Sequence, residues 1–288
     1  MFPFSVYCDD QLPESIPKLS ADRNLVLPSD FLTEREGVIR GYNTYEDKSK
    51  IYSSVLGFVE QIDRLVCVNP IKSRYQPSIG DVVIGRVLEV TYKKWVIDIG
   101  AKQNAVLLLC SVILPGAEQR KKTHEDIIQM SKYLSENDLI LAEVQTVHSD
   151  GTPSLHMRSS KYGKLPVGLL IKVHHGLIQK SNAMSKMHDG IIILSSNGWI
   201  WIGPPSKQDL DLSFSLFPPK KPNLEPRRFE AMARYRNIIQ VLSDYNIPIE
   251  RRTIETGLEL SSKYSTQKML CNEISNIIAR QIISKMSE

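Results

Sequence analysis

Five segments in which apolar and polar residues alternate dominate the middle of the chain, between residues 80 and 160. They read GDVVIGRVLEV, WVIDIG, NAVLLL, NDLILAEVQTV and SLHMRS. Alternation with a period of two is typical of half-buried strands, and Gly80, Gly100 and Gly151 punctuate it with turns. Five short strands in this length predict a small closed barrel of the OB type, whose strands and loops commonly bind oligonucleotides.

The segments before this barrel are also strand-like. After a proline-containing tail over residues 1–24, the runs GVIRG, KIYSSVLGFVEQI and RLVCV alternate in the same way. We therefore expect a small β domain over residues 25–75 and the barrel over residues 76–164. Inside the barrel, apolar residues at helical spacing predict a short helix over residues 123–134, between the third and fourth strands.

The pattern changes after residue 164. A strand is predicted over residues 168–173, and the apolar runs GIIILSS and WIWIG flank Asn197-Gly198, a strong signal for a two-residue hairpin turn. Both arms of this hairpin are almost wholly apolar, so they should be buried on two faces. A proline-rich connector leads to two predicted amphipathic helices, one around Tyr235 and one around Ile278. Residues 165–288 are thus predicted to form an α+β unit.

Composition excludes some classes of protein and favours others only weakly. With 42% hydrophobic residues and a net charge of +4, the chain should be globular, with a slight preference for anionic partners. The four cysteines are too far apart for a zinc knuckle and too few for a disulfide framework, which fits a reducing compartment. The N-terminal residues MFPFSVYCDD lack a signal-peptide pattern, and no long apolar run predicts a membrane span.

A search for catalytic motifs is largely negative. The pair His124-Glu125 lacks the second histidine of a zincin, and the chain contains neither a Walker A run nor a GxGxxG motif. Asp209, Asp211 and Glu125 could in principle hold Mg²⁺ in a metal-dependent ribonuclease, although a solvated loop explains the two aspartates better. No cofactor, bound metal or catalytic residue is expected.

Six short blocks stand in one order along the chain and carry a resemblance. They are RGYNTY, IGDVVIGRVLEV, LPGAEQRKK, SLHMRSSKYGKL, NGWIWIG and NLEP. Over roughly residues 25–288 the chain resembles the ribosomal-RNA-processing protein 4 family, the RNA-binding cap subunits of the RNA exosome. The family's Gly-x-Asn-Gly motif differs here, because Ser195 stands in place of the first glycine.

The resemblance implies a fold, a set of partners and the absence of nuclease activity in this subunit. It implies a mainly β protein: a small N-terminal β domain docked on a ring of RNase PH-like subunits, an S1-type OB barrel, and a KH-like α+β domain with C-terminal helices. The implied partners are the ring, other S1/KH cap subunits, single-stranded RNA and, through the assembled complex, a catalytic exoribonuclease. The implied locations are nucleus, nucleolus and cytoplasm, without a membrane.

Candidate RNA-binding residues fall into four groups. Trp95, which follows Lys93 and Lys94, is expected either to stack on a base or to pack the barrel. The cations of the loop over residues 120–122 are expected either to contact phosphate or to be solvated. His156 and Arg158 share one face of the last barrel strand, and Asn197 and Gly198 are turn residues first. The groups are Lys93, Lys94 and Trp95; Arg120, Lys121 and Lys122; His156 and Arg158; and Asn197 and Gly198.

A separate cluster in the first domain has the composition of a protein interface. Arg40, Tyr42 and Tyr45 combine arginine with aromatic rings, which are enriched at interface hot spots. The resemblance assigns this domain to ring contacts, and RNA binding by the same cluster is the second interpretation. A structural scaffold with little RNA affinity also stays open for the whole chain.

Overall fold

The computed structural model divides into two compact units, Met1–Ser73 and Arg74–Glu288. The first unit is entirely β in its described part. The second unit contains both the barrel and the α+β region. The structure describes residues 25–35, 37–71, 73–114, 122–178, 184–187, 190–204 and 226–286. The finer division at residues 75 and 164 stays a prediction.

The described part of the first unit contains two small sheets. One has the strand order β1-β6-β7-β3 and the other the order β2-β5-β4. Ile51, Val66 and Val68 are its buried apolar side chains with the least exposure. The strands are β1 Leu25–Val26, β2 Phe31–Glu34, β3 Ile39–Arg40, β4 Thr44–Asp47, β5 Lys50–Ser53, β6 Gly57–Ile62 and β7 Leu65–Pro70.

The five predicted strands of the central segment form a closed barrel, as expected from their alternation. The order is β12-β10-β9-β8-β11, and antiparallel pairing of β11 with β12 closes the cylinder. Strands β10 and β12 run parallel, and the short strand β13 extends the sheet beside β11. The bounds are β8 Val82–Thr91, β9 Lys94–Asp98, β10 Ala105–Val112, β11 Leu139–Val147, β12 Pro153–Met157 and β13 Gly163–Lys164.

The helix predicted between β10 and β11 is present, but as two short helices. They are α1 His124–Ile128 and α2 Met130–Tyr133, separated at Gln129. A capping box starts α1, because the Thr123 main-chain nitrogen donates to the Asp126 carboxylate at 2.8 Å. The Tyr133 hydroxyl also donates to this buried carboxylate, so both helices are tied together.

The C-terminal part is α+β, as predicted. Its sheet has the order β14-β17-β16-β15, and all of β16 and β17 is buried, which confirms the expectation from their apolar sequence. Among the described residues three α-helices follow, where the sequence predicted two. The bounds are β14 Leu169–Lys172, β15 Met184–Met187, β16 Gly190–Leu194, β17 Trp199–Gly203, α3 Pro226–Asp244, α4 Arg251–Ser261 and α5 Asn272–Met286.

Helix α4 was missed because its buried stripe is mostly small or polar. Its buried residues are Thr253, Ile254, Gly257 and Ser261, of which only one is a large apolar residue. Ile254 and Leu258 nevertheless recur at helical spacing, so the hydrophobic period of an amphipathic helix is present in this segment. Gly257 is needed at its position, since a Cβ there would lie 2.8 Å from a methyl carbon of Ile238 on α3.

The four-stranded sheet lies between the barrel and the helices. Ile191, Ile193 and Trp201 face the barrel and pack with its residues Ile84 and Leu141. The alternate residues of the same strands, among them Ile192 and Ile200, pack with the helices. The barrel and the α+β region therefore share a continuous apolar contact.

None of the described helices is long and apolar enough to cross a membrane.

Candidate nucleic-acid interface

Trp95 does not lie on the barrel surface. Its side chain is 0% exposed within the barrel core, and its indole nitrogen donates to the Leu134 carbonyl oxygen at 3.2 Å. The prediction that it stacks on a base is therefore wrong. The strand alternation explains the result, because Trp95 has the same parity as the core residues Ile97 and Ile99.

Lys93 and Lys94 are exposed, as a nucleic-acid contact requires. They follow Tyr92 at the turn that joins β8 to β9, where Thr91 pairs with Lys94. We call Tyr92 and Lys93 the β8–β9 turn. Tyr92 is 66% exposed and was not among the predicted RNA-binding residues. An aromatic residue next to two lysines at the end of an alternating segment is the signal that could have found it.

Only one residue of the predicted basic loop can be placed. Arg120 and Lys121 lie outside the described residues, so their role stays a prediction. Lys122 is half-buried, and its ammonium group donates to the Val112 carbonyl oxygen at 2.8 Å. This bond ties the start of the helical segment to the end of β10.

His156 and Arg158 differ in their surroundings. The half-buried His156 ring lies edge-on to Tyr162, and its Nε2 is 3.8 Å from the Glu143 carboxylate. The Tyr162 hydroxyl donates to the same carboxylate at 2.7 Å, and burial together with this bond raises the pKa of Tyr162. Arg158 is exposed, directly after the end of β12.

Lys94 and His156 belong to one side of the barrel. Lys94 pairs with Leu108 on β10, and the preceding residue of β10, Leu107, pairs with Leu155 on β12. His156 is thus two strands away from Lys94, which corresponds to about 10 Å across a sheet. An extended single-stranded nucleic acid can contact both positions.

Asn197 is buried inside the protein and bonds to the barrel. It is 5% exposed, and its side-chain nitrogen donates to the carbonyl oxygens of Ile84 and Ile99, each at 2.8 Å. The neighbouring Ser196 main-chain nitrogen donates to the Val82 carbonyl oxygen at 3.0 Å. The prediction that Asn197 contacts RNA is therefore wrong, because its donors hold the α+β region against the barrel.

Gly198 is equally enclosed. Its φ is +83°, and a Cβ would lie 2.3 Å from the Val173 carbonyl oxygen. RNA contact by Gly198 is also contradicted, because it is buried. The turn is longer than the two residues predicted, because residues 195–198 separate β16 from β17. The Gly198 main-chain nitrogen donates to the Ser195 carbonyl oxygen. Of the predicted turn residues, Asn197 and Gly198, only Gly198 has a positive φ. We call residues 195–198 the β16–β17 turn.

Ser195, which stands at the position of the family's glycine, fits this buried turn. It is completely buried, and its hydroxyl oxygen lies within hydrogen-bond distance of the Asn197 side-chain oxygen and the Trp199 carbonyl oxygen. The hydroxyl therefore fixes the Asn197 amide in the orientation that presents its nitrogen to the barrel. The sequence as a whole contains no Gly-x-x-Gly, the loop with which KH domains clamp a nucleic-acid backbone.

A second contact between barrel and sheet involves a histidine. The Tyr75 hydroxyl donates to the Asp81 carboxylate at 2.7 Å, and the Tyr75 ring lies edge-on to His175, with 6.1 Å between ring centroids. Burial, and secondarily the neighbouring His174, lowers the pKa of His175. The pKa of Tyr75 is raised by burial and by its bond to Asp81.

The predicted interface cluster of the first unit is exposed on a fixed backbone. Tyr42 is 82% exposed, whereas its main-chain oxygen accepts a hydrogen bond from the Val68 nitrogen. Gly41 before it leaves no room for a side chain, and Asn43 after it donates to the Val68 carbonyl oxygen at 2.9 Å. Arg40 is exposed, and Tyr45 stacks on Tyr52.

The described residues offer no metal site. Among them no group of three or more His, Cys, Asp or Glu side chains could hold an ion. Glu125 is exposed in the first turn of α1, and Asp209 and Asp211 lie outside the described residues.

Two family models match this chain. Residues 25–62 match the model described as the exosome complex exonuclease RRP4 N-terminal region, and residues 74–146 match the model described as the RRP4 S1 domain. The first match falls in the first compact unit, and the second covers β8 to β10 and most of β11.

Several curated proteins are similar over most of their length. The exosome complex component RRP4 of Mus musculus is 36% identical over 283 residues, which covers 96% of this chain and 91% of the mouse protein. The component rrp4 of Schizosaccharomyces pombe is 37% identical over 258 residues, with 85% of this chain and 78% of the yeast protein covered. That of Saccharomyces cerevisiae is 35% identical over 287 residues, with coverages of 87% and 80%.

Proposed function

This chain belongs to the family of the exosome complex component RRP4, and from this premise we propose that it is a non-catalytic, RNA-binding cap subunit of an RNA exosome. In this role it stabilises the ring and guides single-stranded RNA 3′ ends into the channel, for ribosomal-RNA processing and RNA degradation. The observation that carries the proposal is the similarity to RRP4 proteins across nearly the whole chain.

The barrel supplies the RNA contact in this proposal. Exposed Lys93 and Lys94 neutralise phosphates without reading bases, which suits a subunit that passes many sequences. Arg158 and His156 extend the contact along the same side of the barrel. The loop cations Arg120, Lys121 and Lys122 add further phosphate contacts.

The first unit supplies the protein contact. Arg40, Tyr42 and Tyr45 present aromatic and cationic groups to the ring of RNase PH-like subunits, and the rigid backbone at Tyr42 reduces the entropy lost on docking. Contacts with other S1/KH cap subunits and, through the complex, with a catalytic exoribonuclease complete the assembly. The expected locations are nucleus, nucleolus and cytoplasm.

The RNA contact is tested with the full-length chain and a fluorescein-labelled single-stranded oligoadenylate. The dissociation constant is measured by fluorescence anisotropy at several salt concentrations for the wild type and for the double variant Lys93→Glu/Lys94→Glu. Because each phosphate contact to a single strand contributes roughly 0.7 to the salt slope, the slope should fall by about 1.4. The matched control is Lys263→Glu/Lys268→Glu, which makes the same change in charge at exposed positions of the helical layer.

Two other functions have distinct outcomes in this experiment. A structural scaffold without useful RNA affinity predicts weak binding that neither double variant changes. A metal-dependent ribonuclease predicts that the purified chain degrades the oligonucleotide in Mg²⁺ or Mn²⁺, whereas we expect no turnover. The interface is tested separately: Tyr42→Ala should reduce co-purification of the ring subunits while RNA binding by the isolated chain stays unchanged.

A further inference from the structure

Three exposed cations lie around the joint between the barrel and the α+β region. Arg74 and Lys102 belong to the barrel side, whereas Lys172 is the last residue of β14 in the α+β region. We call these three residues the joint cations. They come from three separate segments of the chain, so the fold brings them together and no local run of charge does.

The Lys172 side chain is held at this joint by an aromatic ring. Its ammonium nitrogen lies 3.9 Å from the centroid of the Trp199 ring. Trp199 is buried, and its indole nitrogen would lie 3.1 Å from a Cβ on Gly100, in the loop between β9 and β10. Because a cation is attracted to an aromatic face, the ammonium group stays close to the loop that also carries Lys102.

The other two cations flank a backbone contact at the same place. Tyr75 and Ala101 form an isolated parallel bridge, so Arg74 and Lys102 are the immediate neighbours of two paired residues. Paired segments lie about 5 Å apart. The Tyr75 ring in turn lies edge-on to His175, three residues after Lys172. The three cations are therefore grouped around one contact between the barrel and the α+β region.

No fixed counter-charge neutralises this group. Among the described residues no carboxylate forms an ion pair with a joint cation. Asp98 and Asp150, on the neighbouring loops, each accept a hydrogen bond from the main-chain nitrogen two residues later, at 2.8 and 2.9 Å. Asp81 is buried and accepts a bond from the Tyr75 hydroxyl. The joint cations thus offer their charge to an external anion.

The joint is rigid, which favours binding of an anion with several charges. Asn197 bonds to two barrel carbonyl oxygens, and apolar residues of both regions pack together beside it. The joint cations therefore keep their spacing, and less entropy is lost on binding than with cations on independent segments.

Strand β9 connects this group to the lysines proposed to bind RNA. Lys94 begins the strand, Asp98 ends it, and Lys102 follows in the next loop. At roughly 3.3 Å per residue the strand is about 13 Å long. A single-stranded RNA that contacts Lys94 can therefore reach the joint within a few nucleotides. The polyanion that fits both places is the same RNA.

We propose that Arg74, Lys102 and Lys172 form a second phosphate-binding site for single-stranded RNA, at the boundary between the barrel and the α+β region. This inference rests on the proposed function and extends it, because RNA then contacts the α+β region although the chain contains no Gly-x-x-Gly loop. Contacts with phosphate read no bases, so the site retains RNA of any sequence.

The test is the salt dependence of RNA affinity without the joint charges. The full-length wild type and the variant Arg74→Gln/Lys102→Gln/Lys172→Met are titrated against labelled oligoadenylate at several salt concentrations, with fluorescence anisotropy as the readout. Methionine keeps an unbranched side chain over the Trp199 ring. Because each phosphate contact with a single strand contributes roughly 0.7 to the salt slope, the slope of the triple variant should fall by about 2.

Two controls separate the joint from charge in general and from packing. Lys263→Gln/Lys268→Gln/Arg280→Gln removes the same charge from exposed positions of the helical layer and should keep the wild-type slope. Lys172→Arg keeps a cation for the Trp199 ring and should also bind as the wild type does. If the loss of Lys172 unfolds the chain in a thermal scan, Arg74→Gln/Lys102→Gln replaces the triple variant, with an expected fall of about 1.4.

The outcomes distinguish this inference from the proposed function. Equal slopes for the triple variant and its charge control would overturn the inference, while a lower slope for Lys93→Glu/Lys94→Glu would still support the proposed function. Absence of RNA binding by the wild type would instead refute the proposed function. An unchanged RNA slope together with reduced co-purification of other exosome subunits would assign the joint cations to a protein contact and also overturn the inference.

Discussion

The β8–β9 turn and the β16–β17 turn both join neighbouring antiparallel strands, but one is exposed and the other is buried. Each joins two neighbouring strands and carries polar side chains that predicted RNA contact. The first has exposed side chains, and its main chain bonds to β10 at Lys93. The second is buried, and the Asn197 side-chain nitrogen donates to two carbonyl oxygens of the barrel. Burial therefore decides which turn can bind a ligand and which one joins the barrel to the α+β region.

The largest expected effect is on the buried turn, from Gly198→Ala. The added Cβ would lie 2.3 Å from the Val173 carbonyl oxygen at a φ of +83°, so main chain must move. We expect a loss of about 3 kcal/mol or more in the free energy of unfolding, measured by urea denaturation.

Gly151→Ala is the matched control for this substitution. Its φ is +85°, but the nearest atom to a Cβ is 4.0 Å away. This variant should lower the free energy of unfolding by only about 1 kcal/mol, because alanine there has the cost of a positive φ but no steric clash. Equal losses in the two variants would mean that Gly198 is not enclosed as described.

The second-largest effect is expected from Asn197→Ala, which should lower the free energy of unfolding by about 2 to 3 kcal/mol. The substitution removes two buried hydrogen bonds to the barrel backbone. Ser196→Ala is the control, because the bond from Ser196 to Val82 involves only the main chain, and it should change stability by less than about 0.5 kcal/mol. Weaker RNA binding by an Asn197→Ala variant of normal stability would contradict the conclusion that Asn197 joins the α+β region to the barrel and does not bind RNA.

Trp95→Phe should have a smaller effect on stability and none on RNA binding. The phenyl ring loses the hydrogen bond to the Leu134 carbonyl oxygen and part of the packed volume, at a cost of about 1 to 2 kcal/mol. Thermal unfolding and anisotropy on the same sample check both statements. Loss of RNA affinity at unchanged stability would contradict the conclusion that Trp95 is buried and does not contact RNA.

The smallest expected effect is a pH dependence of the contact at His175. Its lowered pKa means that below its ordinary value of 6.5 the unfolded chain binds a proton that the folded chain does not. The free energy of unfolding should therefore fall as the pH decreases from 6.5 toward the folded-state pKa. The facing titratable groups are His174, Tyr75 and Asp81. In urea titrations His175→Gln should show a shallower decline, and identical slopes would contradict this origin.

Much of the fold follows from the sequence because period-two alternation is a local property. It predicts the five barrel strands, and applied strictly it also places Trp95 with Ile97 and Ile99 on the inner face. The buried β16 and β17 follow from their continuous apolar runs. Helix α4 was missed because Thr253, Gly257 and Ser261 share its buried face, although Ile254 and Leu258 recur there at helical spacing.

The candidate site is less predictable because its residues are sorted by contacts between distant segments. Asn197 bonds to Ile84 and Ile99, which are 113 and 98 positions away in the chain. No local pattern carries that information. Tyr92 lies in the turn between β8 and β9, where strand alternation does not apply, so its exposure is visible only in the structure.

The most direct test of the central claim is the salt dependence of RNA affinity for Lys93→Gly. Glycine relieves the strain at a φ of +61°, so the variant should be as stable as the wild type or more stable, while it lacks the charge. We predict that the slope of the logarithm of the dissociation constant against the logarithm of salt concentration falls by roughly 0.7. An unchanged slope and affinity would contradict the claim that the β8–β9 turn binds RNA.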